Sequence, residues 1–414
     1  MLEKYFRNKD SKVVFANFSW LMALQVAGYV FPLLTLPYLA RVIGTEGFGK
    51  IAFATAIISW IQTIADWGFN FTATRDVAQN RENKEKVSEI FSNVFWARCI
   101  LTFASGIVLF LCCLWISSFR DNALVIFVTF LMIPGHIFFP DWFFQAVEKM
   151  KYITILNILL KFIFTIAVFV FIKEKEDYVL QPLLTTIGYL ICGIISLFII
   201  LQKWGYSIKK PQIHSILSTV NNSTDVFLNN MLPNLYNSFS VMLLGQFGGS
   251  VSTGIFDGGN KFLSIANQFL TVLSRAFFPF LSRRSDKIST FSKINMLSCL
   301  ILTIFIFVSA PILVKLMLGP DFLESVVVLR VLAFSFVFIA MNNTYGQNYL
   351  IITKHEKELR NLTLVSSLVG MLISFPLVYY FSYFGAALTI VVSRILLGVL
   401  SYYYYKKFES VKNG

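Results

Sequence analysis

"FPLLTLPYLARVIGTEGFG", residues 31–49, ends a long apolar run containing Pro32 and Pro37, then sets Arg41 ahead of three glycines. A charge at the end of such a run has one meaning in water and another in lipid, and composition decides between them. Of 414 residues, 56% are hydrophobic and only 14% charged. Soluble chains carry roughly 25% charged residues, so this chain is written for a bilayer and the stretch reads as the outer end of a spanning helix.

About 20 helical residues cross the ~30 Å hydrocarbon layer. Windows of that kind fall at 13–40, 47–70, 91–116, 123–145, 152–172 and 179–202, then at 217–245, 252–281, 294–317, 326–351, 361–381 and 384–405. Unpaired backbone amides are too costly in lipid for anything but helices or a closed barrel. The expected architecture is an all-α polytopic membrane protein of about twelve transmembrane helices. Its expected divisions are a cytoplasmic N-terminus (1–12), an N-lobe of six spans (13–202), a cytoplasmic linker (203–216), a C-lobe of six spans (217–405) and a cytoplasmic C-terminus (406–414). The apolar run after the basic N-terminus is too long for a signal h-region and reads as a retained first span.

The net charge is +13, which in a soluble chain would point to nucleic acid. Counted by loop, 23 basic residues fall on one side of the twelve spans and seven on the other. That asymmetry puts both termini in the cytoplasm, and nucleic acid is not needed to explain the charge. The cysteines (Cys99, Cys112, Cys113, Cys192, Cys299) lie in or beside apolar stretches without metal spacing and read as small buried hydrophobes. His136, His214 and His355 are scattered. No catalytic constellation, nucleotide-binding glycine loop or cofactor motif accompanies them, so neither an enzyme nor a cofactor is expected.

Charges inside spans cost about 2.5–3.5 kcal/mol on insertion scales and need a reason. Five are basic: Arg98, Lys161, Lys261, Arg275 and Arg394. Lys161 and Arg394 sit near the middles of their spans, whereas Arg98 and Arg275 are close enough to the cytoplasmic ends to snorkel. In the eighth span Asp257, Lys261, Ser264, Gln268, Thr271 and Arg275 recur at steps of four and three, which is one helix face. Thr55, Ser59, Gln62 and Asp66 repeat the device in the second span. The seventh holds Asn221, Asn222, Asp225, Asn229, Asn230, Asn234 and Asn237, and the tenth Asn342, Asn343, Tyr345, Gln347 and Asn348. Interhelical hydrogen bonding accounts for such stripes at about 0.6–2 kcal/mol per contact, and Asp257 can neutralise Lys261 four residues on. Stripes on several helices fit a shared, hydrated, cationic cavity better. Guanidinium groups there would clamp phosphates while amides and hydroxyls pair with sugars. The sugar-contact candidates are Gln62, Asn229, Asn234, Asn237 and Gln268, and Asp66, Asp225 and Asp257 are candidates for coupling to a proton or sodium gradient.

"VIGTEGFGKIAFATAI" (42–57) and "QFGGSVSTGIFDGGNKF" (246–262) occupy matching places before the second and eighth spans, an internal echo consistent with two halves in parallel orientation. Long stretches also resemble a known family. "FPLLTLPYLARVIGTEGFGKIAFATAI" with "DWGFNFTATRDVAQNR" (66–81) is similar to the first two spans of the polysaccharide-export flippases, the Wzx or O-antigen flippase group. "FPDWFFQAVEKMKYITILNILLK" (139–161) and "YGQNYLIITKHEKELRN" (345–361) resemble that group's passages from span four to five and from ten to eleven.

The resemblance implies the fold of the multidrug/oligosaccharidyl-lipid/polysaccharide exporters, two six-helix lobes in a V around a central cavity, as in MATE exporters and the lipid II flippase MurJ. It implies translocation of undecaprenyl-diphosphate-linked oligosaccharide repeat units, such as O-antigen, across the bacterial inner membrane by alternating access. Besides that substrate and membrane lipid, the implied partners are a polysaccharide polymerase and a chain-length regulator. With Arg41, the five basic residues within the spans are the candidate substrate cations. For Arg41 two readings stand, a diphosphate contact at the periplasmic mouth and an interfacial anchor. A drug exporter of the same fold is the competing function. A multispan polymerase is disfavoured by the short outer loops near 173–178 and 318–325.

Overall fold

The computed structural model describes the backbone of residues 9–283 and 288–413, and most side chains between residues 19 and 410. Every regular element among the described residues is helical. Eight stretches are long and apolar enough to cross a membrane, two of them, Ser19–Gln79 and Glu356–Ser410, with 61 and 55 residues. At 1.5 Å per residue either is nearly three times the required length, and each is interrupted. Gly44 (φ 64°) separates helix α1 (9–43) from α2 (45–66), and Ser382 (φ 49°) separates α13 (356–381) from α14 (383–413).

A second break follows α2. Trp67 and Gly68 take φ of 40° and 80°, and α3 (Phe69–Gln79) leaves in a new direction. A side chain on Gly68 would meet the Val226 Cβ at 2.8 Å, so glycine is required there for close approach as well as for its backbone. Next come α4 (Lys84–Trp115), α5 (Ala123–Ala146), α6 (Met150–Phe171) and α7 (Lys175–Lys203). Asn83 caps α4 by accepting from the Lys86 amide at 3.0 Å.

The later elements are α8 (Ile213–Met231), α9 (Ser238–Phe247), α10 (Gly249–Arg283), α11 (Ile288–Met317) and α12 (Ser325–Leu350), then α13 and α14. Pro233, in the short 3-10 turn Leu232–Leu235, interrupts the seventh pass between α8 and α9. The C-terminal part of α12, Asn342–Leu350, is wound as a π-helix. Taken together the described residues make twelve helical passes. Trp115, Phe103 and Val108 are exposed at 87%, 73% and 59%, as expected of side chains that face acyl chains.

Packing divides the chain into two units, and the boundaries fall inside helices. The first runs to Val42 and resumes over Ile58–Asn230; the second takes Ile43–Ile57 and Met231–Gly414. The core of the first unit is aromatic: Phe91 meets Phe143 edge-on at 4.9 Å, and Trp142 and Phe144 are buried beside them. In the second unit the two echoed segments lie against each other. A Cβ on Gly49 would overlap the Ser250 backbone, and one on Gly254 would overlap that of Thr45. Thr45 and Gly49, like Ser250 and Gly254, are four apart, so two small-residue faces close backbone to backbone, as in membrane helix pairs generally.

Candidate functional site

In the first unit the α2 stripe ends in a charged knot. Asp66 receives Gln62 Nε2 at 2.9 Å on one oxygen and the Arg98 guanidinium of α4 on the other. Arg98, only 4% exposed, also points Nη1 at the His136 carbonyl (3.4 Å), and the His136 ring packs on Tyr189 at 4.0 Å. A buried guanidinium is tolerated in low dielectric because the carboxylate compensates its lost hydration. The compensation is incomplete, since Arg98 Nε and Gln62 Oε1 are buried without hydrogen-bond partners. Two residues singled out for different roles, Asp66 for coupling and Arg98 for substrate, are therefore each other's partners.

Lys161 differs. Its ammonium lies 3.5 Å from where a Cβ on Gly28 would stand, so the glycine of α1 leaves the room it occupies. Among the described residues it has neither a carboxylate nor a hydrogen-bond acceptor. Arg41, at the end of α1, is exposed. So are Asp225 and Asn229 on α8.

The second unit repeats the contrast. Asp257 and Lys261 form an ion pair of 3.2 Å along α10, with Lys261 47% exposed. Ser264, Gln268 and Thr271 continue that more accessible face, while Phe262, Leu263, Ala266 and Leu270 between them are buried. The Arg275 side chain lies outside the described residues. Arg394 on α14 donates from Nη1 to the Ser335 hydroxyl at 2.9 Å and lies beside the Tyr236 hydroxyl. No carboxylate accompanies it among the described residues. Asn234 accepts from Ser238 at 3.5 Å, and Asn237 is half-buried nearby in sequence.

A polar cluster around the π-helix adds residues that periodicity did not isolate. Asn295 of α11 donates to Thr344 at 3.0 Å, Asn348 to Ser274 at 2.9 Å, and Ser401 to Asn342 at 3.1 Å. The asparagines of α12 stand out in the sequence. Asn295 is a single amide in an apolar helix, and only the partner helix reveals its use. Among the described residues no group of three acidic, histidine or cysteine side chains is arranged to hold a metal ion.

Long apolar helices broken by kinks define a multi-pass all-helical membrane protein. The fold matches a multidrug resistance MATE family transporter of the MOP superfamily, solved inward-facing, at TM-score 0.74 and 15% identity, covering 95% of this chain and 98% of that one. It matches the lipid II flippase MurJ in an inward closed conformation at TM-score 0.66 and 13% identity, over 93% and 87% of the two chains. The chain belongs to the polysaccharide biosynthesis protein family, whose pattern it matches over residues 14–285. Among its relatives is a protein of Escherichia coli (strain K12) named for O-antigen transport, 28% identical over 92% of this chain and 94% of the relative. Another, from Shigella dysenteriae, carries the same name at 25% identity over 92% and 97%.

Proposed function

We propose that this chain carries undecaprenyl-diphosphate-linked oligosaccharide repeat units, of the O-antigen kind, from the cytoplasmic to the periplasmic leaflet of the bacterial inner membrane by alternating access. The observation that supports this reading is that Lys161 in one unit and Arg394 in the other are each held in a membrane-spanning helix with no carboxylate among the described residues. Such a group is expensive in lipid, and each is explained if a passing diphosphate is its transient counter-ion. The amides and hydroxyls on the neighbouring stripes suit the sugars. Burying an unpaired hydroxyl costs roughly 1–3 kcal/mol, so a glycan head does not cross bare hydrocarbon at a useful rate, and a polar protein path removes that barrier while the polyprenyl tail stays in lipid.

The test is reconstitution. Purified chain in liposomes with a fluorescent undecaprenyl-diphosphate oligosaccharide should speed its exchange between leaflets, read by a membrane-impermeant quencher. Export of a cationic dye by the same liposomes, with no movement of the lipid-linked sugar, would replace this reading with that of a drug exporter.

A further inference from the structure

Two of the stretches that carry the family resemblance, 66–81 and 139–161, converge beside the charged knot. A cleft of 460 Å³ in the first unit is lined by Asn70, Phe71, Thr74 and Arg75 of α3 and by Asp141 and Gln145 of α5, with Trp142 as its floor. That volume lies within the roughly 300–1,000 Å³ of small-molecule sites. The cleft is pinned in shape. Thr74 donates to the Trp142 carbonyl at 3.3 Å, and Arg81 donates to the Val147 carbonyl at 2.8 Å and pairs with Glu148 at 3.0 Å. Trp142 itself is buried against Phe91 and Phe143.

We propose that this cleft is a carbohydrate-binding site that reads the sugars of the lipid-linked substrate before the head enters the membrane. The proposal rests on the transport reading above for its substrate and on the lining for its chemistry. Phe71 is 65% exposed, yet Asn70, Thr74 and Arg75 surround it, a border that acyl chains would not solvate. A ring in that setting serves as a platform for the C–H face of a sugar. Asp141 is aimed by the Trp142 amide, which its Oδ1 accepts at 2.8 Å; the rest of the carboxylate and the Gln145 amide offer paired acceptors and donors for vicinal hydroxyls. A bare phosphate fits worse, because Arg75, the cation of the lining, already pairs with Asp76 at 2.9 Å. Arg75, Arg81 and Lys149 belong to the basic side of the sequence, so the positive-inside rule turns this cleft toward the cytoplasm, where the substrate is built.

The experiment uses the full chain in lipid nanodiscs and two probes: the free oligosaccharide repeat released from the host's own surface polysaccharide, and sugar-free undecaprenyl diphosphate. The oligosaccharide should bind and protect 69–79 and 141–146 from hydrogen exchange. Phe71→Ala and Gln145→Ala should each weaken it on the order of tenfold, the loss of one ring or amide contact, with melting temperature unchanged. In the liposome assay both variants should raise the half-saturating substrate concentration and leave the maximal rate alone. Wild-type transport combined with oligosaccharide binding that neither variant alters would overturn the cleft while leaving the transport reading intact. Equal protection of the same stretches by undecaprenyl diphosphate would also overturn it. If the wild type moves no lipid-linked sugar the transport reading falls, and protection of these stretches by the free oligosaccharide still decides the cleft.

Discussion

Among the described side chains, each unit holds one intramembrane cation with an acid beside it and one without. In the first, Arg98 is locked to Asp66 while Lys161 has no carboxylate; in the second, Lys261 pairs with Asp257 while Arg394 rests on the Ser335 hydroxyl. The paired cations have a carboxylate supplied by the fold itself, and on the proposed reading the others are left for a substrate that comes and goes. The difference teaches that a basic residue in an apolar helix signals a ligand only after its partners are known.

The contrast is broken most severely at Asp66. Asp66→Ala strands a buried guanidinium, and truncating one partner of a buried pair costs about 3–5 kcal/mol; detergent-solubilised protein should melt far earlier or fail to accumulate. Adding Arg98→Leu should restore most of that loss, because a well-packed apolar pair is often as stable as the ionic one. A melting temperature that ignores Asp66→Ala would mean that Arg98 is solvated by some other route.

Lys161→Ala and Arg394→Ala should do the reverse. Removing an uncompensated charge leaves melting unchanged or raises it, whereas transport of the lipid-linked sugar should fall at least about a hundredfold, near 2.7 kcal/mol in barrier terms. Wild-type rates in either variant would strike that residue from the site. The smallest effect is expected at Lys261. An i, i+4 pair with a half-exposed lysine contributes under about 1 kcal/mol, and Lys261→Ala should slow transport far less than Lys161→Ala. An equal loss would place Lys261 among the substrate cations and end the distinction between paired and unpaired.

Much of this was legible in the sequence, for identifiable reasons. Hydropathy and glycine placement gave the twelve passes and the turn at Gly44. Helical spacing gave the α10 face and the Asp257–Lys261 pair, since both partners lie on one element. The Asp66–Arg98 pair was hidden because it joins two helices through residues 32 apart, and periodicity reports only one helix at a time. The same limit concealed Asn295, the hydroxyls around Arg394 and the convergence of α3 with α5. The echo between 42–57 and 246–262 was visible as a likeness; that the two copies touch each other was not.

That contact bears on how the protein is made. Residues 43–57 leave the ribosome early, yet their packing partner around Gly254 is synthesised some two hundred residues later. Until then the Thr45–Gly49 face has no mate, and a nascent chain arrested between α7 and α8 carries an orphan half-helix. A gene split between α7 and α8 should therefore yield a stable product only when both fragments are expressed together, the upstream piece lending its half-helix to the downstream one.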